Sequence, residues 1–128
     1  MTAVEHFPPE ATRLVLPVTI TGPRVSHEFR LRLDTGSDIT VVPTLFLRRL
    51  GCDLSRPAGR TRLRSLTGVA WVPLIRVPAA SALGRVRTDF LVAAHDFPIG
   101  VEADGLLGLD FARGRIALRR PRPWWQFW

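Results

Sequence analysis

The tetrapeptide Asp34-Thr35-Gly36-Ser37 contains the residues of this sequence that are best suited to chemistry. An aspartate carboxyl group can accept a proton from water or give one to a departing atom, so it can act as a general base or a general acid. The triplet Asp-Thr-Gly by itself is a weak indication, because it also occurs by chance. Its meaning therefore depends on the elements that surround it.

Other reactive side chains form no recognisable site. The histidines at positions 6, 27 and 95 lack the spacing of a metal site or of a serine paired with a base. The one cysteine, Cys52, cannot form a disulfide within the chain and stands beside no metal-ligand pattern. We therefore predict no metal and no cofactor. Three further acidic residues are interpreted as turn or cap residues: Asp96, Asp104 and Asp110.

The segment before Asp34 has the pattern of a β-hairpin. Residues 14–20 are rich in β-forming types, residues 21–24 contain a Gly-Pro turn signal, and residues 28–33 alternate apolar and polar side chains. The second predicted strand leads directly into Asp34.

The rest of the chain predicts short elements separated by turns. Residues 43–50 read as a short helix, because Pro43 suits its first turn and Gly51 suits a left-handed cap at its end. Further strands are predicted at residues 39–42, 62–66, 69–72, 74–77, 86–92 and 115–119, and one helical turn at residues 109–112.

The length and composition indicate one compact domain. The 128 residues are 46% hydrophobic, which is enough for a core, and the 11 prolines and 10 glycines favour turns over long helices. The predicted fold class is all-β. No apolar run is long enough to cross a bilayer and no signal peptide is visible, so we expect a cytoplasmic protein.

The net charge of +7 suggests nucleic-acid binding, but the arginines argue against it. All 18 basic residues are arginine, which is typical of GC-rich coding, and they are spread along the chain rather than clustered. We therefore expect no nucleic-acid partner.

A second signature, Leu-Leu-Gly-Leu-Asp-Phe at residues 106–111, follows Asp34 by about seventy residues. Together with the hairpin, the triplet, the helix ending in Leu-Gly and a second hairpin at residues 62–72, it resembles the retropepsin-like aspartic proteases, most of all their small bacterial and cellular members. The resemblance covers residues 12–119. It implies a closed β-barrel acid-protease fold with one or two short helices.

The resemblance also implies a mechanism. Two carboxylates held close together share one proton, so one can activate water while the other donates a proton to the carbonyl oxygen of a peptide bond. Pepsin-like enzymes carry two such triplets, whereas this chain has one. The second carboxylate would come from Asp34 of another copy across a two-fold axis. We thus predict a homodimeric aspartic endopeptidase that acts on peptide or protein substrates.

The neighbours of Asp34 acquire roles through the same resemblance. Thr35 would brace the dimer through the partner's backbone, and Gly36 would allow a close backbone approach. Ser37 would donate its hydroxyl to the carboxylate and favour the ionised form, which predicts an acid-shifted activity optimum. Asp38 matches a position that contacts the substrate backbone, and a turn cap is the alternative.

The hairpin at residues 62–72 would form a flap that closes over the substrate, with Thr67 and Gly68 at its tip. An ordinary hairpin turn is the alternative. Apolar substrate contacts are assigned to Leu66, Val69 and Ile99. Structural support beneath the active-site loop is assigned to Leu106, Leu107 and Gly108.

Leu109 departs from the pattern of the retroviral enzymes. They have an arginine at this place, and it pairs with the acidic residue after the catalytic triplet. In this chain the ion pair is either missing or supplied from elsewhere, and Arg113 is a candidate. The departure concerns the stability of the dimer more than its chemistry.

The ends of the chain are predicted to lie outside the protease domain at residues 13–119. Residues 1–12 read as an N-terminal arm. Residues 120–128 form a tail that combines arginines with three of the four tryptophans. Packing of this tail in the dimer is one interpretation, and contact with a membrane surface is another, because arginine and tryptophan suit a lipid–water interface.

A second function is compatible with the same fold. A retropepsin-like domain without activity would serve as a dimerisation or peptide-binding module. The intact triplet at Asp34 favours the enzyme.

Overall fold

The structure, a computed structural model, describes residues 3–6, 14–34, 37–65, 68–96, 103–112 and 116–119. Within these ranges the chain forms nine strands and two short helices: β1 Ala3–His6, β2 Val15–Thr21, β3 Ser26–Leu33, β4 Val41–Val42, α1 Thr44–Arg49, β5 Gly59–Ser65, β6 Gly68–Ala82, β7 Arg85–Ala94, β8 Gly105–Leu107, α2 Leu109–Ala112 and β9 Ile116–Arg119. None of the helices in the described ranges is long and apolar enough to cross a membrane.

Most of the strands in the described ranges belong to one sheet, in the order β2-β3-β8-β4-β7-β6-β5. An additional pairing of β2 with β6 closes six of these strands into a barrel, and β5 extends from β6 outside it. The predicted all-β fold, with a closed barrel and one or two short helices, is confirmed, and the described residues contain two helices. β1, within the predicted N-terminal arm, pairs with β9 in a separate parallel sheet.

The hairpin predicted before Asp34 is confirmed. β2 and β3 pair antiparallel, and alternate residues of each strand face the inside of the barrel. The buried members of the pair are Leu16, Val18, Ile20, Phe29 and Leu31. The packed hairpin therefore holds the end of β3, where the loop that starts with Asp34 begins.

Helix α1 lies close to the predicted range and has the predicted cap. Gly51 has a φ of +95°, and its N–H donates to the carbonyl oxygen of Arg48 at 2.9 Å. At the other end, the carboxylate of Asp96 accepts hydrogen bonds from the N–H of Thr44 at 3.0 Å and from its hydroxyl at 2.9 Å. Leu47 is fully buried in the core, so the helix is fastened at both ends and along one face.

The predicted division between two strands at Pro73 was wrong. Residues 69–72 and 74–77 belong to one continuous strand, β6. β6 pairs with β5 up to Leu74 and with β7 from Leu74 onward, so Pro73 has a partner strand on one side only, where a missing N–H is tolerated. The strand β8 was not predicted, because alternation cannot be recognised in three residues.

The burial of α1 gives a first prediction. Leu47→Ala should lower the free energy of unfolding by about 2–5 kcal/mol, because it leaves a cavity in the core. Leu45 lies on the same helix but is 49% exposed, so Leu45→Ala should cost less than about 1 kcal/mol. Urea unfolding followed by circular dichroism measures both variants. Equal losses would contradict the packing of α1 on the barrel.

Candidate active site

Asp34 is partly buried and directly follows β3. Its backbone N–H donates to the carbonyl oxygen of Leu107 at 3.0 Å, and its own carbonyl oxygen accepts from the N–H of Ser37 at 3.1 Å. The loop from β3 to β4 is thus tied to β8 at its start and closed by a turn of its own.

The order of the strands brings the two sequence signatures together. β8 lies between β3 and β4, parallel to the first and antiparallel to the second. The loop that joins β3 to β4 must therefore pass over the end of β8. There the N–H of Leu109 donates to the carbonyl oxygen of Ser37 at 2.9 Å. A Cβ atom on Gly108 would overlap the backbone of Ile39, so this crossing requires glycine.

Thr40 forms a buried hydrogen-bond network at this crossing. It is 1% exposed. Its N–H and its hydroxyl donate to the two carboxylate oxygens of Asp110, at 3.1 and 2.9 Å. The hydroxyl oxygen also accepts from the N–H of Gly108 at 3.1 Å. Thr40, the last residue of the loop, is therefore hydrogen-bonded both to Gly108, which precedes α2, and to Asp110 within α2.

The predicted role of Ser37 is wrong. Its hydroxyl donates to the carbonyl oxygen of Ile39 at 2.7 Å. A serine hydroxyl has a single proton, so this bond directs the proton away from the carboxylate of Asp34. The hydrogen bond from which the acid-shifted optimum was predicted is therefore not formed.

The fold and the loop agree with the comparison to protein families. The aspartyl protease family profile matches residues 16–111, from β2 to α2. The chain belongs to the aspartyl protease family. The match includes Asp34 and the second signature that the barrel places beside it.

Two solved structures share the retropepsin-like fold. One is a retropepsin-like aspartic protease from Rickettsia conorii, with a TM-score of 0.62 and 13% identity over 84% of this chain and 75% of that chain. The other is the simian foamy virus protease, with a TM-score of 0.50 and 21% identity over 75% of this chain and 88% of that chain. No curated protein matches the chain. The predicted retropepsin-like acid-protease fold is confirmed.

The remaining predicted site residues of this chain fall into three groups. Asp38 is exposed and lines a cleft of about 380 Å³ beside the loop. Gly68 and Val69 lie at the exposed end of the β5–β6 hairpin, which pairs up to Ser65 and Gly68. Outside the described residues lie Thr35, Gly36, Leu66, Thr67, Ile99, Arg113 and residues 120–128.

A small apolar cluster lies between the loop and the base of this hairpin. Val41, Val72 and Ala93 are buried at its centre. Four partly buried apolar side chains pack against them: Ile39, Leu63, Leu74 and Leu106. Leu106 and Leu107 face opposite ways, because Leu107 belongs to the main core. The cluster was not predicted, since its members are distant in sequence and meet only through the order of the strands.

The network around Thr40 gives a second prediction. Thr40→Val should lower the free energy of unfolding by about 1–3 kcal/mol, because Gly108 and Asp110 lose a buried partner. Thr44→Val is the matched control, since Thr44 makes an exposed hydroxyl contact to Asp96, and it should cost less than about 1 kcal/mol. Urea unfolding measures the difference. A larger loss in Thr44→Val would show that the buried network does not hold the loop.

Proposed function

We propose that this chain is an aspartic endopeptidase that works as a homodimer, in which each subunit contributes the carboxylate of Asp34. Membership of the aspartyl protease family supports hydrolysis of peptide bonds. The observation that carries the proposal is the position of Asp34, at the end of a packed strand and in a loop tied to β8 and α2.

The dimer follows from the chemistry of amide hydrolysis. A general base must take a proton from water while a general acid protonates the carbonyl oxygen, and one carboxyl group cannot do both at once. Two carboxyl groups that share one proton meet both needs, because like charges at short range do not both ionise. One chain supplies one Asp-Thr-Gly loop. A two-fold axis between copies would supply the other.

In the proposed reaction no covalent bond forms between the enzyme and the substrate. The ionised Asp34 accepts a proton from water, whose oxygen attacks the carbonyl carbon of the substrate. The protonated Asp34 of the partner subunit donates its proton to the carbonyl oxygen. Collapse of the tetrahedral intermediate breaks the carbon–nitrogen bond. The nitrogen takes up the proton held by the first carboxyl group, and one hydroxyl of the intermediate returns its proton to the ionised Asp34 of the partner subunit as the carbonyl group forms again.

Apolar side chains beside the loop support a substrate preference. Ile39, Leu63 and Leu106 are only partly buried against the small apolar cluster. Apolar surface of this kind next to a reacting group binds apolar substrate side chains. In the proposal, the β5–β6 hairpin above this cluster is the flap, and Asp38 contacts the substrate backbone.

The shared site gives a third prediction. Wild-type protein should cleave members of a mixed peptide library and should be inhibited by pepstatin, whereas Asp34→Asn should lose at least about a thousandfold in rate. After subunit exchange, an equal mixture of the two should retain roughly one quarter of the wild-type rate, because only dimers with two intact carboxylates are active. Mass spectrometry of the cleaved peptides measures each rate.

The control for this mixture is Asp53→Asn, which changes an exposed carboxylate in a turn with Ser55. Asp53→Asn should cleave peptides at the wild-type rate both by itself and in an equal mixture with wild-type protein. Retention of one half of the rate with Asp34→Asn would show that each chain works alone. A folded wild-type dimer that cleaves no peptide would favour the non-catalytic binding module.

The hydrogen bond of Ser37 gives a fourth prediction. Ser37→Ala should leave the acid limb of the kcat/KM profile within about 0.3 pH units of wild type, because the hydroxyl donates to Ile39 and not to the carboxylate. The profile is measured with one cleaved peptide from the library. A clear shift of the acid limb toward higher pH would restore the original role of Ser37.

A further inference from the structure

Arg87 lies on β7 and reaches the end of helix α2. Its Nε and Nη2 atoms donate to the carbonyl oxygen of Phe111 at 3.1 and 2.8 Å. Its Cζ atom lies 5.8 Å from the centre of the Phe111 ring. Phe111 is fully buried and packs edge-to-face on Phe90, with 5.8 Å between ring centres. The guanidinium therefore fastens α2 to the barrel wall at a rigid point.

Helix α2 needs such a fastening. It has four residues, and a helix of one turn depends on contacts with its surroundings. The carbonyl groups at the end of a helix have no partner within the helix and carry partial negative charge, so a cation is favoured there. Arginine suits the position better than lysine, because its planar group donates two hydrogen bonds and lies against an aromatic ring.

The same helix holds the loop that carries Asp34. Leu109 at its start donates to Ser37, and Asp110 in its middle accepts both donors of Thr40. A displacement of α2 would therefore disturb the hydrogen bonds of the loop at both Ser37 and Thr40. Arg87 also lines the cleft to which Asp38 and Asp110 contribute.

We propose that Arg87 is a positioning residue of the active site, which fixes α2 and, through Asp110 and Thr40, the loop of Asp34. Leu109, where the retroviral pattern has an arginine, is 40% exposed here, and the guanidinium bonded to α2 comes from β7. The kinetic consequence of this inference rests on the proposed protease function, whereas its structural consequence does not.

The structural consequence is tested by amide hydrogen exchange. In Arg87→Met, the amides of Gly108 and Leu109 should exchange at least about tenfold faster than in wild type, because α2 opens locally. The control is Arg76→Met, since Arg76 is exposed and also donates to a backbone carbonyl, that of Asp89, at 3.2 Å. It should leave these amides unchanged. Wild-type exchange in Arg87→Met, or equal acceleration in Arg76→Met, would overturn the proposal.

The kinetic consequence is tested on the active dimer. Arg87→Met should lower kcat by about ten- to a hundredfold and change KM by less than about twofold, because a displaced loop misaligns the carboxylates and leaves the substrate contacts in place. Arg76→Met should keep the wild-type values. A higher KM with unchanged kcat would mean that Arg87 contacts the substrate, and the positioning role would be rejected.

Arg87→Lys keeps the charge and most of the side-chain volume, and it carries both tests if Arg87→Met does not fold. It should show intermediate exchange and an intermediate kcat, since lysine cannot reproduce the paired hydrogen bonds. Wild-type behaviour of Arg87→Lys in both measurements would overturn the need for a guanidinium. If the wild type cleaves no peptide, the proposed function fails, and the exchange comparison still decides the role of Arg87.

Discussion

The buried hydroxyl of Thr40 joins the two sequence signatures of this chain into one unit. It donates to Asp110 and accepts from Gly108, and the backbone N–H of Thr40 completes the set. A buried polar group without a partner costs about 1–3 kcal/mol. Removal of the Thr40 hydroxyl would therefore leave both Gly108 and Asp110 short of a hydrogen bond. The loop that begins at Asp34 is consequently held by residues about seventy positions further along the chain.

The rest of the site is arranged around this crossing. The strand β8 lies between the strands on either side of the loop, and Gly108 lets the two backbones approach. Helix α2 follows at once and is held from the barrel wall by Arg87. The outer end of the β5–β6 hairpin is different, since Val69 there is 57% exposed. A tightly held loop below an exposed hairpin suits the proposed enzyme, whose carboxylates must stay aligned while a substrate enters.

Local signals explain which parts of the fold were predictable. The first hairpin and the cap at Gly51 depend on neighbouring residues, and both were predicted correctly. The continuity of β6 through Pro73 was not predictable, because it depends on which strands pair on each side of the proline. The hydroxyl of Ser37 was assigned to the wrong acceptor, since the bend of the backbone at Ile39 decides where its proton points.

The sequence by itself determined the short elements, the acid-protease signatures and the place of Asp34 at the end of a strand, because all of these are written in neighbouring residues. Only the tertiary structure decided the partners of Thr40 and the role of Arg87. Those contacts join residues that are far apart in the chain, and the order of the strands in the barrel brings them together. The pattern of residue types along the chain does not by itself specify which strands are neighbours in the sheet.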